Sequence, residues 1–360
     1  MPICFGVRLP SPDMASVCID KGEFDLWEVC RPLLSDPEML EKVREGRDDE
    51  VRRCVGSLNC LSRLFRDLPY TCTVNPALGH EVEPEYHITP AAVKKKVMVI
   101  GAGPAGMECA IAARGRGHDV TVFEGSDRIG GALLGYAMND LAHKEDLLDI
   151  VRYYETMAKK KGIEVKFNTR MDPKLMRSLL HQYDVAVVAT GARVEAERYP
   201  ASTQDGLMMD AKDVALGKAT PGQRVVILGA GKVGLTIAEA LATKGHQVTL
   251  VEADKRIAGD VMPSFKWRHA QWVQELKIPV HTSSKVLAIG DNSVKLVNDK
   301  GEESIVNADT VIAAGPRRPN QELIHELEWM VDEVHGCGDS MVPRGLTQAI
   351  HYGYWLGVRI

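Results

Sequence analysis

No stretch of this 360-residue chain approaches 18 uninterrupted apolar residues, so no membrane-spanning helix is expected. A strong charge of either sign is also missing: 44 Lys and Arg stand against 49 Asp and Glu, a formal charge of −5, which disfavours nucleic acid as a partner. The opening MPICFGVRLPSPDM has no charged segment leading into a long apolar core, so no signal peptide is expected. Eight cysteines without such a signal point to free thiols or metal ligands in a reducing compartment, and the chain reads as cytoplasmic. Neither a nucleophile–His–acid constellation nor a His-rich metal pattern is present. What remains is an ordinary globular balance, 45% hydrophobic and 26% charged, long enough for two or three domains.

The clearest positive signal is internal repetition. KKVMVIGAGPAGMECAIAARGRGHDVTVFE is echoed by QRVVILGAGKVGLTIAEALATKGHQVTLVE. Each reads as an apolar strand, a G-x-G-x-x-G turn, an Ala-rich helix, a Gly-His turn and a second strand ending in Glu. Gly101 to Glu124 is 23 positions, and so is Gly229 to Glu252. Gly101 and Gly229 permit the tight turn out of the strand. Gly103 and Gly231 let backbone approach a pyrophosphate, and Gly106 and Gly234 let helix pack on sheet. The helix N-terminus then offers unpaired N–H groups to phosphate. Glu124 and Glu252, at the tips of the second strands, are placed to accept from ribose hydroxyls. The bland alternative for either repeat is the same fold without a nucleotide. His118 and His246 hold equivalent places in the Gly-His turns, which suits a structural role.

Beyond Glu124 come GSDRIGG, with Arg128, Gly130 and Gly131, then YDVAVVATGAR, a strand ending at Thr190 and Gly191. Near the end, EVHGCGDSM is a strand running into Gly338–Asp339, followed by a helix from about Gly345. With these motifs the chain resembles flavoproteins that carry two dinucleotide-binding domains. The resemblance implies FAD in the first repeat, with Arg128 and Gly131 along the pyrophosphate, Gly191 at a strand end, and Gly338 and Asp339 at the ribityl–phosphate region. It also implies a nicotinamide nucleotide domain inserted into the FAD domain. Glu252 favours NAD over NADP because a carboxylate repels a 2′-phosphate, although Lys255 and Arg256 follow closely. Arg317 and Arg318 read equally as phosphate ligands or as surface charges. Many such flavoproteins reduce disulfides, yet neither Cys109 nor Cys337 has a partner at C-x-x-C or C-x4-C spacing, which speaks against that activity.

The first ninety residues read as a short buried strand (PICFGVRL), a helix capped by Ser11, a strand and loop (FDLWEVCRPLLSDP) and a further helix (PEMLEKVREG). Cysteines and TVNPALGHE follow. In this order, RPLLSDP, REGR, the cysteine block, NPALG and both glycine motifs resemble the 2,4-dienoyl-CoA reductase and trimethylamine dehydrogenase group of the old yellow enzyme family. The resemblance implies the last quarter of an FMN barrel, with Gly6 and Arg31 at the flavin phosphate and Cys30 where a second glycine would stand. A whole (β/α)₈ barrel needs roughly 200 residues or more, so a partner subunit, a repacked relic and a fragment are all open readings. In that group a [4Fe–4S] cluster is held by C-x2-C-x3-C-x11-C. Here Cys60 and Cys72 keep the last interval, Cys54 lies six steps before Cys60 instead of seven, and Ser57 stands at the second ligand position. Cys54, Cys60 and Cys72 are therefore candidate ligands of a retained or altered cluster, against the reading of no cluster at all.

The expected fold is α/β: two Rossmann-like dinucleotide-binding domains, the NAD(P) domain inserted in the FAD domain, after a partial β/α-barrel segment and a cysteine-containing linker. The expected boundaries are 1–50 for the barrel segment, 51–92 for the linker, 93–205 with 311–360 for FAD, and 206–310 for NAD(P). The expected function is a FAD-dependent NAD(P)H oxidoreductase subunit passing electrons to a cluster or to a flavin-barrel partner, with FMN only if that partner completes the barrel. An electron-output subunit of an amine-dehydrogenase type and a non-catalytic nucleotide-binding assembly subunit are the alternatives. A glutamate-synthase-type small subunit is a further resemblance, against which the barrel-like N-terminus argues.

Overall fold

A computed structural model describes residues 1–360 except 7–8, 143, 201–206, 291, 328–329 and 331–332. The chain divides into two compact units. The first comprises Met1–Gly131, Asp146–Gly191 and Asn320–Ile360; the second comprises Ala132–Glu145 and Ala192–Pro319.

The centre of the first unit is a five-stranded parallel sheet. Its order is Val334–Gly336, Val185–Val188, Lys96–Ile100, Asp119–Phe123 and Glu164–Lys166. VMVI and VAVV are continuous apolar runs because a parallel sheet is covered on both faces. On one face Met98, Ile100, Phe123 and Val188 pack with Met176 and Leu327. The helix after the first glycine loop, Pro104–Gly115, packs against the C-terminal helix Leu346–Gly357. That contact needs glycine: a Cβ at Gly357 would stand 2.5 Å from the Cys109 carbonyl.

The second unit repeats the plan in the order Val280–His281, Gln247–Val251, Arg224–Leu228, Thr310–Ala313 and Met208–Asp210, again all parallel. Ile227, Leu235, Leu250 and Ile312 fill one face. On the other, Val226 and Leu228 meet Ile289, Val294 and Leu296 of an antiparallel meander, Ser284–Gly290, Ser293–Asn298 and Glu303–Asn307. Ala192–Val194 pairs antiparallel with Arg317–Pro319, so the two ends of this long segment lie side by side. Within the first unit, Asn320 and Thr190 close the matching gap through Asn320 N–H to the Gly191 carbonyl at 3.0 Å and Asn320 Nδ2 to the Thr190 carbonyl at 3.1 Å.

The N-terminal segment departs from its sequence reading in two places. The described part of PICFGVRL is not a buried strand: among the described residues Cys4–Phe5 pairs in parallel only with Leu26–Trp27, and Ile3, Phe5 and Leu26 are exposed, while positions 7–8 of that reading lie outside the described residues. Two strands cannot cover their own faces, so apolar residues chosen for a sheet interior stay in solvent. RPLLS forms a short helix, Arg31–Ser35, rather than a loop, with Pro at the first turn where its missing N–H costs nothing. Ser11 does cap the helix Pro12–Asp20, accepting from Met14 N–H at 3.4 Å.

A buried ionic chain ties this segment to the glycine-loop helix. Asp36, 4% exposed, accepts from Lys42 Nζ at 2.8 Å and from Arg52 N–H at 2.9 Å. The Arg52 guanidinium donates to Glu108, 1% exposed, and to Tyr153 Oη, both at 2.9 Å, and to the Val74 carbonyl. Truncating one partner of a buried pair strands the other charge. Arg52→Ala is therefore expected to cost about 3–5 kcal/mol in urea or thermal unfolding, whereas Arg44→Ala, whose partner Glu41 is exposed, should cost under about 0.5 kcal/mol.

Candidate functional site

The turn at the first repeat is built as its glycines require. Gly101 has φ +110°, and a Cβ there would stand 2.5 Å from the Ala189 carbonyl; Gly106 lies directly on the Gly101 carbonyl. Gly103 caps the helix and has no atom within 4 Å of the place of a Cβ, which leaves its N-terminal N–H groups approachable. Glu124 Oε2 accepts from Ala102 N–H at 2.7 Å and Oε1 from Ser126 N–H at 2.8 Å. Two oxygens can accept about four hydrogen bonds, so the carboxylate keeps capacity for a ribose hydroxyl.

Two further predicted residues, Gly131 and Gly338, converge on this helix end. Gly131, at φ +55°, turns back so that its Cβ would lie 3.0 Å from Gly103 Cα. Gly338, at φ +67°, abuts Ala105, and Asp339 Oδ1 accepts from Arg344 N–H at 3.0 Å, bracing the loop before the C-terminal helix. Gly191 has φ +73° and open space beside it. Arg128 is exposed and lies 3.4 Å from its neighbour Asp127.

The second repeat reproduces these bonds. Glu252 Oε2 accepts from Ala230 N–H at 2.7 Å and Oε1 from Asp254 N–H at 3.0 Å. Gly229 has φ +106°, and Gly234 lies on its carbonyl. The return loop closes alike in both, Gly130 N–H to the Ala102 carbonyl at 3.0 Å and Ala258 N–H to the Ala230 carbonyl at 2.8 Å. Two residues here were not singled out from sequence. Asp260 Oδ1 accepts from Lys232 N–H at 2.7 Å, and Tyr199 Oη donates to the Leu228 carbonyl at 3.3 Å. Burial, reinforced by the Glu252 charge, pushes the Tyr199 phenol up to about 12. Arg318 is paired with Glu197 at 2.6 Å.

His118 and His246 do structural work at their Gly-His turns: His118 Nδ1 accepts from Lys95 N–H at 3.1 Å, and His246 Nδ1 donates to the Gly222 carbonyl at 2.8 Å. Cys109 and Cys337, far apart in sequence, are both fully buried in the first unit. A hydrogen bond to Cys109, with burial, pushes the Cys337 thiol well above the usual thiol range. Enclosed and raised in this way, Cys337 offers no thiolate to an outside substrate.

Cys54, Cys60 and Cys72 line one cavity in the first unit, with Ser57 and Arg31 in its wall. Leu58, between the first two cysteines, takes the left-handed conformation at φ +54°. His351 Nε2 donates to the Cys72 carbonyl at 2.6 Å, and a hydroxyl chain runs from Ser57 to Thr73 at 2.8 Å and on to Thr347 at 3.0 Å. Burial raises the Cys60 and Cys72 thiols. Among the described residues no three His, Cys, Asp or Glu gather closely enough to hold one metal ion. A cubane spreads its ligands over four irons, but it ordinarily wants four thiolates. This donor set has three thiols and falls one short, with a serine at position 57 whose hydroxyl is bonded to Thr73. The Gly6 turn fits a phosphate poorly as well: the Glu28 side chain packs on it, with Oε2 2.8 Å from the place of a Cβ.

Two parallel sheets, each with a glycine loop, a helix N-terminus and an acid at the next strand tip, define a protein with two dinucleotide cradles. The chain belongs to the pyridine nucleotide-disulphide oxidoreductase family, which it matches over residues 72–174 and 95–336, and that membership implies binding of FAD and NAD(P)H. It is 30% identical over 387 residues to a metal reductase of Desulforamulus reducens, covering 98% of this chain and 57% of that protein. It is 33% identical over 357 residues to an NADH oxidase of Thermoanaerobacter brockii, covering 97% and 54%. A solved 2-naphthoyl-CoA reductase complexed with 2-naphthoyl-CoA is similar at a TM-score of 0.95 and 35% identity, covering 100% of this chain and 54% of that one. The chain thus spans about half the length of the curated relatives it matches. No helix among the described residues is long and apolar enough to cross a membrane.

Two expectations follow from this geometry. Ser57→Cys, which adds the missing thiolate, should bind more iron per chain than the natural sequence after anaerobic reconstitution with iron and sulfide; equal iron would count against the cavity as a cluster site. Because Tyr199 is held protonated up to about 12 against 10.0 for an ordinary phenol, its contribution to stability is full below pH 10 and is lost as pH rises through 12. The Tyr199→Phe protein should lack that component of the alkaline unfolding curve.

Proposed function

We propose that this chain is the electron-transfer part of a FAD-dependent NAD(P)H oxidoreductase, taking electrons from NADH and delivering them to a partner that carries the substrate site. The observation that carries the reading is the duplicated cradle, two glycine loops each bound by its own strand-tip carboxylate through the same hydrogen bond. We assign the first unit's cradle, within 93–131, 146–191 and 320–360, to FAD and the second unit, 132–145 with 192–319, to NAD(P), so that the expected joints at 205/206 and 310/311 move to 191/192 and 319/320, after a barrel-derived segment at 1–50 and the cysteine linker at 51–92.

In the FAD domain the N–H groups beside Gly103 bind pyrophosphate, Glu124 accepts from ribose, and Gly131, Gly191, Gly338 and Asp339 border the rest of the cofactor, with Arg128 at the phosphates. In the NAD(P) domain Gly229, Gly231, Gly234 and Glu252 take the same roles, and the Glu252 carboxylate favours NAD over a 2′-phosphorylated nucleotide. FAD, when bound, supplies the chemistry, accepting a hydride and releasing electrons onward. The chain supplies binding, orientation and exclusion of water. FMN enters only with a partner that completes the barrel and brings its own phosphate site, since Glu28 stands at Gly6. Eight free cysteines are in keeping with a reducing, cytoplasmic setting. The names borne by relatives, an NADH oxidase and a metal reductase among them, support the redox class.

A second reading runs electrons outward, from a substrate-oxidising partner through this chain, with the second cradle partly structural. It is favoured by the carboxylate of Asp260 at that cradle's helix end. Addition of NADH to the anaerobic FAD-loaded protein should bleach the flavin band near ~450 nm. A band that persists at saturating NADH would reject the first reading in favour of the second.

A further inference from the structure

The two cradles are alike in backbone and opposite in what occupies them. At the first, the place of a Cβ on Gly103 is empty to 4 Å, and the first helical residue is Pro104, which has no N–H to cap. At the second, the place of a Cβ on Gly231 lies 2.8 Å from Asp260 Oδ1, and the same oxygen accepts the Lys232 N–H at 2.7 Å. Ala132 stands at the position of Asp260 in the first repeat's sequence. A second group closes the crevice between Arg224–Leu228 and Thr310–Ala313, where a parallel sheet of this order binds its ligand. Tyr199 Oη lies on Gly315, leaving no room for a Cβ there, and donates to the last carbonyl of Arg224–Leu228. The counterpart of Gly315 in the first unit is Thr190, followed by Gly191 with open space beside it.

We propose that Asp260 and Tyr199 are internal occupants of the second cradle that set its affinity for the nicotinamide dinucleotide, with Asp260 standing where the pyrophosphate must sit. This rests on the reading of that cradle as the NAD(P) site. An anionic pyrophosphate and an anionic carboxylate compete for the same helix N–H groups and repel each other across a short distance. Binding therefore requires the Asp260 side chain to swing away and Tyr199 to leave Gly315. The carboxylate is exposed, so the movement needs a rotamer change and no unfolding. The penalty falls on the diphosphate and spares a ligand that lacks phosphate.

The test is calorimetric titration of the FAD-loaded full chain with NADH, ADP and adenosine. Asp260→Ala should tighten NADH and ADP about tenfold, which is about 1.4 kcal/mol, and leave adenosine unchanged. Asp260→Asn, which keeps an acceptor for Lys232 N–H without the charge, should fall between, and Tyr199→Phe should add to the Ala variant's gain. NADH binding by Asp260→Ala where the natural protein shows none would equally support the proposal. If the natural protein binds NADH and Asp260→Ala binds it no more tightly, the occupancy proposal falls while the NAD(P) assignment stands. If neither binds NADH or ADP at ~1 mM, about −4 kcal/mol, both fall.

Discussion

The site depends on one hydrogen bond made twice, from the N–H after the first glycine of each loop to the carboxylate at the tip of the next strand. Ala102 to Glu124 and Ala230 to Glu252 both measure 2.7 Å. The bond is charge-assisted and fixes the loop against the neighbouring strand. It demands that the turn leave the strand at a positive φ, which Gly101 and Gly229 supply. It also demands that the helix approach the turn closely, which Gly106 and Gly234 allow. The orientation of each helix N-terminus, and with it any phosphate chemistry, follows from these restraints.

The N-terminal ninety residues obey a different constraint. Their few strands bury little, and polar contacts attach them to the rest of the first unit. Arg52 binds Glu108, and the cysteine loop is held through Cys72 to His351 and through Thr73 to Thr347. Buried ion pairs gain little net energy when intact and cost much when broken. Such a network specifies where the segment sits more than it adds stability. Ile3, Phe5 and Leu26 of this segment are left exposed.

Legibility in the sequence tracked the range of the interaction. The glycine loops, the Ser11 cap and the Gly-His turns are local, because their partners lie within a few residues or within one βαβ unit of fixed length. Asp260 was passed over because a carboxylate in a loop reads as a solvated charge until the helix end it faces is known. Tyr199 was missed for the same reason, since its partners are Leu228, the last residue of one strand, and Gly315, in the loop after another. The buried strand expected at PICFGVRL failed because burial depends on neighbours, and among the described residues only Leu26–Trp27 pairs with Cys4–Phe5.

By itself the sequence determined that two βαβ units would form and what their turns could hold, because apolar β-branched runs and glycines at fixed spacing act through local sterics and backbone hydrogen bonding. Only the tertiary structure decided which cradle is open. The contrast between Gly103, facing empty space, and Gly231, facing Asp260, arises when a return loop folds back onto a helix end. Likewise, Cys109 met Cys337 and Arg52 met Glu108 only once distant segments packed, since such pairings depend on the path of the chain through space and carry no periodic signal along it.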